Sequence, residues 1–510
     1  MHKNKNNTDV LIVGLGPVGD ILAALLTQQG IGVIGIDREL DVYQLPRAAV
    51  FDDEIMRCFQ QLGVVQDIIE HTRPGQVYEF VNGKGETLMR FERGDLTAQG
   101  WAPAYLFHQP SMEQVLRRHL REKQVDLRLG WTLLQVLRND ASGVEVRVAD
   151  PSGIEQILQA RYLIGCDGGA STVRKQLGVE LFDYGFEEPW LVVDALMADE
   201  DGLCPHAVQH CDPARPVSEV PMSPGRRRWE FMLLPGENIA EMQEPARVES
   251  LLSTYVRPGQ AQVVRKAVYL FHGLVAKQWR LDSTLLAGDA AHQMPPFLGQ
   301  GMCSGIRDSI NLAWKLTMVI RGEAPATLLD SYQEEREPHL RQIMETAISM
   351  GRLVCTLDPE MAAQRDGEML ACRAAHGRSS DDELPALIIR GSLLESSPRA
   401  GELFPQPYAY LADGRAGRLD DLLGDGFWLL SCIPFEAQIL PGVKAWQWGT
   451  DVRDDGSIKR WLEAAGADAV LVRPDRYVAG TGTPEQLLAA FSRMHSPAMD
   501  ISPALSALSA

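Results

Sequence analysis

Four apolar residues, Val10 to Val13, run into Gly14-Leu15-Gly16-Pro17-Val18-Gly19, and apolar residues then recur with helical spacing from Val18 to Gln29. Few folds use such a strand, glycine loop and helix in succession. Gly14 permits a tight turn, Gly16 lets backbone approach a diphosphate, and Gly19 lets helix and strand pack closely. The diphosphate then meets the positive N-terminus of the helix. Gly32 to Ile36 reads as a second strand, and Asp37 ends it about 20 residues on, where a carboxylate accepts hydrogen bonds from an adenosine ribose. The spacing predicts a βαβ unit that binds a dinucleotide. The competing reading is a glycine turn of structural purpose only, which does not require an acid at that place.

Two further motifs bear on the ligand. Cys166-Asp167-Gly168-Gly169-Ala170-Ser171-Thr172-Val173-Arg174 follows an apolar strand expected over 160 to 166. Taken alone it is equally well an Asp-Gly turn feeding a helix capped by Ser171. The third motif decides between ligands. Leu286-Ala287-Gly288-Asp289-Ala290-Ala291-His292 ends a strand at Leu285 to Ala287, and Pro295-Pro296, Gly299-Gln300-Gly301 and Met302 lead into a long helix expected over Gly305 to Ile320. A carboxylate at a strand end can hold a polyol chain such as ribityl. A glycine-flanked loop at a helix N-terminus offers N–H groups and a dipole to a developing anion. A flavin requires both, because its reduced ring is anionic.

The remaining chain sets the organisation. With 510 residues it should form about two to four domains. Gln109 to Lys123 reads as a helix and Leu127 to Ala149 as strands. Residues 181 to 271 are rich in β-formers, Pro and Trp and read as a separate sheet; a helical stretch follows to about 375, then an α/β unit. The net charge of −19 gives no broad face to neutralise phosphate, which argues against nucleic acid or an anionic membrane as partner. Eight scattered cysteines without a C-x-x-C pair suit neither zinc nor a dithiol centre, so no metal is expected. The polar start and the absence of any apolar run of about 20 residues predict a cytoplasmic protein.

The three motifs in this order resemble the single-component flavoprotein aromatic hydroxylases, the class of p-hydroxybenzoate and phenol hydroxylases, over roughly residues 8 to 345. The resemblance implies an α/β fold: a Rossmann-like FAD-binding domain in two parts (1–180 and 272–395), an inserted β-sheet substrate domain (181–271) and a thioredoxin-like C-terminal domain (396–510). It implies FAD bound by Gly14, Gly16, Gly19, Asp37, Arg47, Gln109 and Asp289, with Gly299, Gly301 and Met302 beside the ring. Asp167 and Gly168 would then lie between FAD and a visiting NADH or NADPH. Without the resemblance, Arg47 reads as a surface ion pair and Gln109 as a helix cap. Three departures stand out. Asp37 replaces the usual glutamate, Cys303 stands where many relatives carry asparagine and reads as a buried filler, and Asp20 follows the third glycine where an apolar residue is commoner.

No second G-x-G-x-x-G is present, so NAD(P)H is expected to visit, reduce FAD and leave. In the family, oxygen then forms a flavin C4a-hydroperoxide that hydroxylates a phenol; the cofactor carries that chemistry. The middle segment, with Arg227-Arg228-Trp229-Glu230-Phe231-Met232 and Cys211-Asp212-Pro213-Ala214-Arg215, resembles the 3-(3-hydroxyphenyl)propionate hydroxylases. Arg215, Arg226, Arg227 and Arg228 are therefore candidates to clamp an acid chain, against the alternative that they are solvated or brace the sheet. His292 reads as structural in preference to a catalytic base. The tail around Val470 to Val478 lacks C-x-x-C, which points to packing or dimer contact. Two rival functions remain: a hydroxylase of polycyclic polyketides or drugs, and a non-catalytic FAD protein that binds an aromatic ligand. The W-x-W-x-I-P signature of flavin halogenases is absent, since Trp446-Gln447-Trp448 continues into Gly449-Thr450.

Overall fold

Val10, Leu11, Ile12 and Ile34 have no polar alternation to offer a wet face, and all are buried. They form the centre of an eight-stranded sheet in a computed structural model that describes residues 6–44, 48–376, 388, 391, 394, 397–435 and 440–495. Strand Asn7–Val13 lies between Val33–Asp37 and Glu155–Gly165, parallel to both. Asp126–Leu129 extends the sheet beyond Val33–Asp37, and Thr284–Leu286 adds to Glu155–Gly165, again in parallel. Helix Pro17–Gln28 covers the sheet and starts at Gly16. Because these five strands point the same way, their C-terminal ends share one edge, the usual ligand edge of such sheets. Gly14, Asp37, Asp167 and Asp289, which span most of the first 290 residues, are brought together for that reason.

A second eight-stranded sheet runs His292–Gln293, Ala261–Ala276, Leu181–Met197, Arg226–Met232, Val217–Pro221, Ala207–Cys211, Val77–Asn82, Thr87–Glu92. It is not confined to 181–271. The first segment contributes two strands, Val77–Asn82 pairing in parallel with Ala207–Cys211, and the sheet continues past residue 271 to Ala276. Its residues alternate between two faces. Leu191, Val193, Trp229 and Phe231 form one face, packed under Met242, Val248 and Leu252 from the short helices Ile239–Met242 and Pro245–Leu252. Trp190, Val192, Asp194, Arg228, Glu230 and Tyr269 share the other, because their registers pair Trp190 with Tyr269, Val192 with Glu230 and Asp194 with Arg228. That inner face is turned toward Phe297, whose ring lies 5.7 Å from Trp190 and 6.5 Å from Phe271.

Helix Gly301–Arg321 begins one turn before the expected Gly305, directly after the left-handed Gly299. The tail carries a four-stranded sheet ordered Val443–Gln447, Phe427–Ser431, Ala469–Val472, Val478–Gly482. It is tied to the first unit by buried charge: Arg473 bridges Asp475 at 2.5 Å and Glu335 at 2.7 Å, while Lys315 meets Glu335 at 2.9 Å. All eight cysteines are free thiols. Among the described residues no helix is long and apolar enough to cross a membrane, and no cluster of potential metal ligands occurs.

Candidate active site

The glycine loop leaves open backbone where a diphosphate would come. A Cβ on Gly16 would meet no atom within 4 Å, whereas one on Gly19 would lie 2.0 Å from the Gly14 carbonyl oxygen. Gly16 thus faces space, and Gly19 is the close contact between helix and loop. Asp37 is held ready beside them, its Oδ2 accepting from Leu15 N at 2.7 Å and its Oδ1 from Glu39 N at 2.8 Å. Asp289 stands in the short helical turn Gly288–Ala290 that leaves strand Thr284–Leu286. Open glycine backbone at a helix N-terminus offers N–H donors to a diphosphate, and the carboxylates of Asp37 and Asp289 at two strand ends offer acceptors to sugar and ribityl hydroxyls, so these residues fit FAD. Bound FAD supplies the redox chemistry.

The other candidates divide. Gln109 uses its amide locally, accepting from Ala48 N at 2.7 Å and donating to Glu113 at 2.6 Å, so it pins the chain just after residues 45–47. Arg47 lies outside the described residues. Asp167 serves its own turn: Oδ1 accepts from Ser171 Oγ at 2.5 Å, and Oδ2 from Thr172 N and Val173 N at 2.6 and 3.0 Å. Ser171 in turn caps Arg174 N at 3.0 Å, as the reading of an Asp-Gly turn feeding a capped helix expects. Gly168 has φ +76° with open space beyond its Cα, leaving its backbone accessible. We therefore expect Asp289→Ala to deprive the protein of FAD. Asp167→Ala should keep the cofactor and lose about 0.5–2 kcal/mol of stability as a missing helix cap does. A flavin titration in which both variants retain FAD equally would reject this ranking.

Gly299 adopts φ +66°, and a Cβ there would strike Val50 Cγ1 at 2.1 Å. Gly301 and the half-buried Met302 open the long helix beside it. Cys303 is fully buried next to them, and burial pushes its thiol well up, which suits a filler and not a thiolate. Asp20 is also buried; burial raises its carboxyl well above the ordinary range despite Arg117 at 3.3 Å.

His292 sits in a buried charged network. Its Nε2 lies 2.6 Å from Asp308, both side chains fully buried, and its ring packs 5.2 Å from Trp279. Asp308 also accepts from Gly288 N at 3.1 Å and Arg336 Nε at 3.1 Å, so one carboxylate beneath the third motif fixes its shape. Neither Asp308 nor Arg336 had been singled out from the sequence, since each lies inside an ordinary helix pattern with no local signal.

The four arginine candidates separate by strand face. Arg215 forms a fork with Glu237 at 2.6 and 2.8 Å. Arg227 points to the outer face, 2.5 Å from Glu219, and so away from the inner face. Arg228 is on the inner face but clasps Asp194 at 2.7 and 3.2 Å, with Arg265 at 3.1 Å from the same carboxylate. Arg226 shares the inner row and has no ion pair among the described residues. Burial, followed by the charge of Arg226, holds the His108 imidazole down to about 4. The inner face therefore joins aromatic walls, Tyr78, Trp190, Phe271 and Phe297, to a corner with more guanidinium than carboxylate charge. Such a corner favours a phenolate over a phenol.

A dinucleotide edge opposite an aromatic-walled face defines the class as FAD-dependent aromatic hydroxylases, and the chain is an enzyme of that class. Residues 7–347 match the family model described as FAD binding domain, and the chain belongs to that family. Residues 445–497 match the model described as HcaD C-terminal domain. The chain is 41% identical over 494 residues to the "Probable NADH-specific resorcinol 4-hydroxylase" of Rhodococcus jostii (strain RHA1), covering 92% of this chain and 91% of the relative. It is 32% identical over 582 residues to the "3-(3-hydroxy-phenyl)propionate/3-hydroxycinnamic acid hydroxylase" of Comamonas testosteroni, covering 97% and 98%. Among solved structures it is similar to a ternary complex of aklavinone-11 hydroxylase with FAD and aklavinone, with a TM-score of 0.79, 25% identity, and 97% and 100% of the two chains covered.

Proposed function

We propose that this enzyme is an NADH-dependent monooxygenase of a small phenol, with a neutral dihydroxybenzene of the resorcinol type as its preferred substrate. The observation that carries the preference is charge compensation: Arg215, Arg227 and Arg228 already face carboxylates at 3.2 Å or less. An acid chain held by any of these three would have to displace its partner. A neutral ring needs only the aromatic walls for its area and polar groups for its hydroxyls. The choice of NADH rests on the name of the R. jostii relative. The tail supports a thioredoxin-like reading through its strand directions, one parallel pair followed by two antiparallel pairs. Eight free thiols suit the reducing cytoplasm, where we place the enzyme.

A second reading, a phenol with a short acid chain, has one observation in its favour: Arg226 has no ion pair among the described residues. Substrate-stimulated oxidation of NADH and NADPH, with product analysis, decides between them over resorcinol, 3-(3-hydroxyphenyl)propionate and a polycyclic phenol. Resorcinol with NADH should give the fastest coupled turnover. Under the second reading Arg226→Ala would raise the apparent constant for the acid by about one to two decades and leave that for resorcinol unchanged. Turnover of the polycyclic phenol alone would reject both readings while leaving the flavin assignment standing.

A further inference from the structure

We propose that Glu230 is a catalytic residue that takes the proton from the substrate hydroxyl as the ring is activated; this rests on the reading of the substrate as a phenol. The register sets Glu230 between Val192 and Ser218 on the inner face of the second sheet. Its neighbours are already committed. Ser218 Oγ donates to Gln209 at 2.6 Å, and Arg228 directs its close contacts to Asp194, reaching Glu230 only at 3.5 Å. On the outer face, by contrast, Glu219 is held by Arg227 at 2.5 Å. Glu230 therefore has its guanidinium partner, Arg228, only at 3.5 Å, and 11% of its side chain stays exposed. An interior carboxylate with a loose partner is costly to keep, and such groups concentrate at functional sites.

The charges around it suit the role. Arg228 on its own strand and Arg265 on Ala261–Ala276 favour the carboxylate, and Asp194 on Leu181–Met197 opposes it. Burial outweighs these and raises its proton affinity above that of a solvated glutamate. Tyr78, on Val77–Asn82, is the facing hydroxyl; it donates to the Phe297 carbonyl at 3.4 Å and feels the Glu230 charge. In the step, the substrate O–H bond breaks, the proton moves to a Glu230 oxygen, and the electron pair stays on the phenolic oxygen to enrich the ring. When the hydroxylated ring regains aromaticity, the C–H bond at the newly hydroxylated carbon breaks and its proton leaves to solvent, its electron pair restores the ring and the phenolic oxygen, and Glu230 returns its own proton to that oxygen. The arginines of the same corner stabilise the oxyanion meanwhile.

The test uses the FAD-loaded enzyme with resorcinol and the Glu230→Gln variant, which keeps the side chain's shape and cannot accept the proton. We expect unchanged FAD content, substrate affinity within a few-fold by flavin difference spectra, and product formation reduced by about 10²-fold or more, the usual contribution of a general base. The rate of the variant should recover as pH rises toward ionisation of the free phenol. That pH rescue is a result a merely structural role would not give. Product formation within threefold of the parent, with the same pH profile, overturns the proposal. If Glu230→Gln lost FAD, the decision would pass to Glu230→Asp and the parent's own profile. Loss of kcat/KM on the acid side in the parent, shifted in Glu230→Asp, supports the role, and a flat profile in both overturns it. A parent that turns over no phenol at all rejects the substrate reading itself, and this proposal with it.

Discussion

Replacing Asp308 by alanine should cost about 3–5 kcal/mol and release FAD, because removing one member of a buried charged set strands the others. Three groups depend on that carboxylate: His292 at 2.6 Å, Arg336 at 3.1 Å and the Gly288 amide at 3.1 Å. Gly288 immediately precedes Asp289, so the loss is transmitted directly to the third motif. His292 and the neighbouring charges hold the Asp308 carboxyl below its ordinary value, although burial alone would raise it. A group with a depressed folded-state pKa stabilises at pH above its unfolded value, and the contribution fades as pH falls through the folded one. The parent should therefore lose this contribution only in strong acid, and the variant should lack it across the neutral range. Chemical unfolding monitored with FAD release checks this; a variant within about 1 kcal/mol of the parent, an ordinary surface effect, would show that the hub is redundant.

Gly14→Ala should yield protein with less than a tenth of the parent's FAD. Gly14 has φ +96°, and a Cβ there would lie 2.4 Å from the Cys166 carbonyl oxygen and 2.7 Å from Asp167 Cα. The left-handed conformation alone costs an alanine about 1–2 kcal/mol. The larger effect is the collision, since both atoms struck are backbone at the end of the adjoining parallel strand and cannot rotate away. Gly168→Ala is the control. It has φ +76° but meets no atom within 4 Å, so it carries the conformational cost without the collision. The ratio of flavin to protein absorbance after purification with added FAD distinguishes the two. Equal FAD content in both variants would mean that backbone strain, and not the packing of the loop on the second motif, controls the site.

Much of the cofactor edge was legible without the fold. The run from Val10 to Gly19 has one sensible local structure, and Asp37 and Asp289 each follow an apolar run that can only be a strand. Local pattern sufficed there because loop, strand end and helix start are contiguous in sequence. The second sheet was less legible. Val77–Asn82 and Thr87–Glu92 joined it from a segment assigned elsewhere, since pairing across more than 100 residues leaves no local trace. Arg226, Arg227 and Arg228 looked equivalent, although strand alternation must place the middle one opposite its neighbours.

What the chain's sequence determined by itself is the dinucleotide edge, the class of cofactor and the existence of a separate sheet, because each depends on short-range periodicity and on backbone freedom at glycine. Which face of that sheet packs under the two short helices, and which turns toward Phe297, was decided only by tertiary structure. Packing of Leu191, Trp229 and Phe231 beneath two short helices fixed the outer face and so turned Arg228, Glu230 and Tyr269 inward. The partners of those charges, Asp194, Glu219 and Glu237, were likewise set by register and folding. A charged residue's role depends on whether a counter-ion lies within a few ångströms, and that distance is a property of the fold.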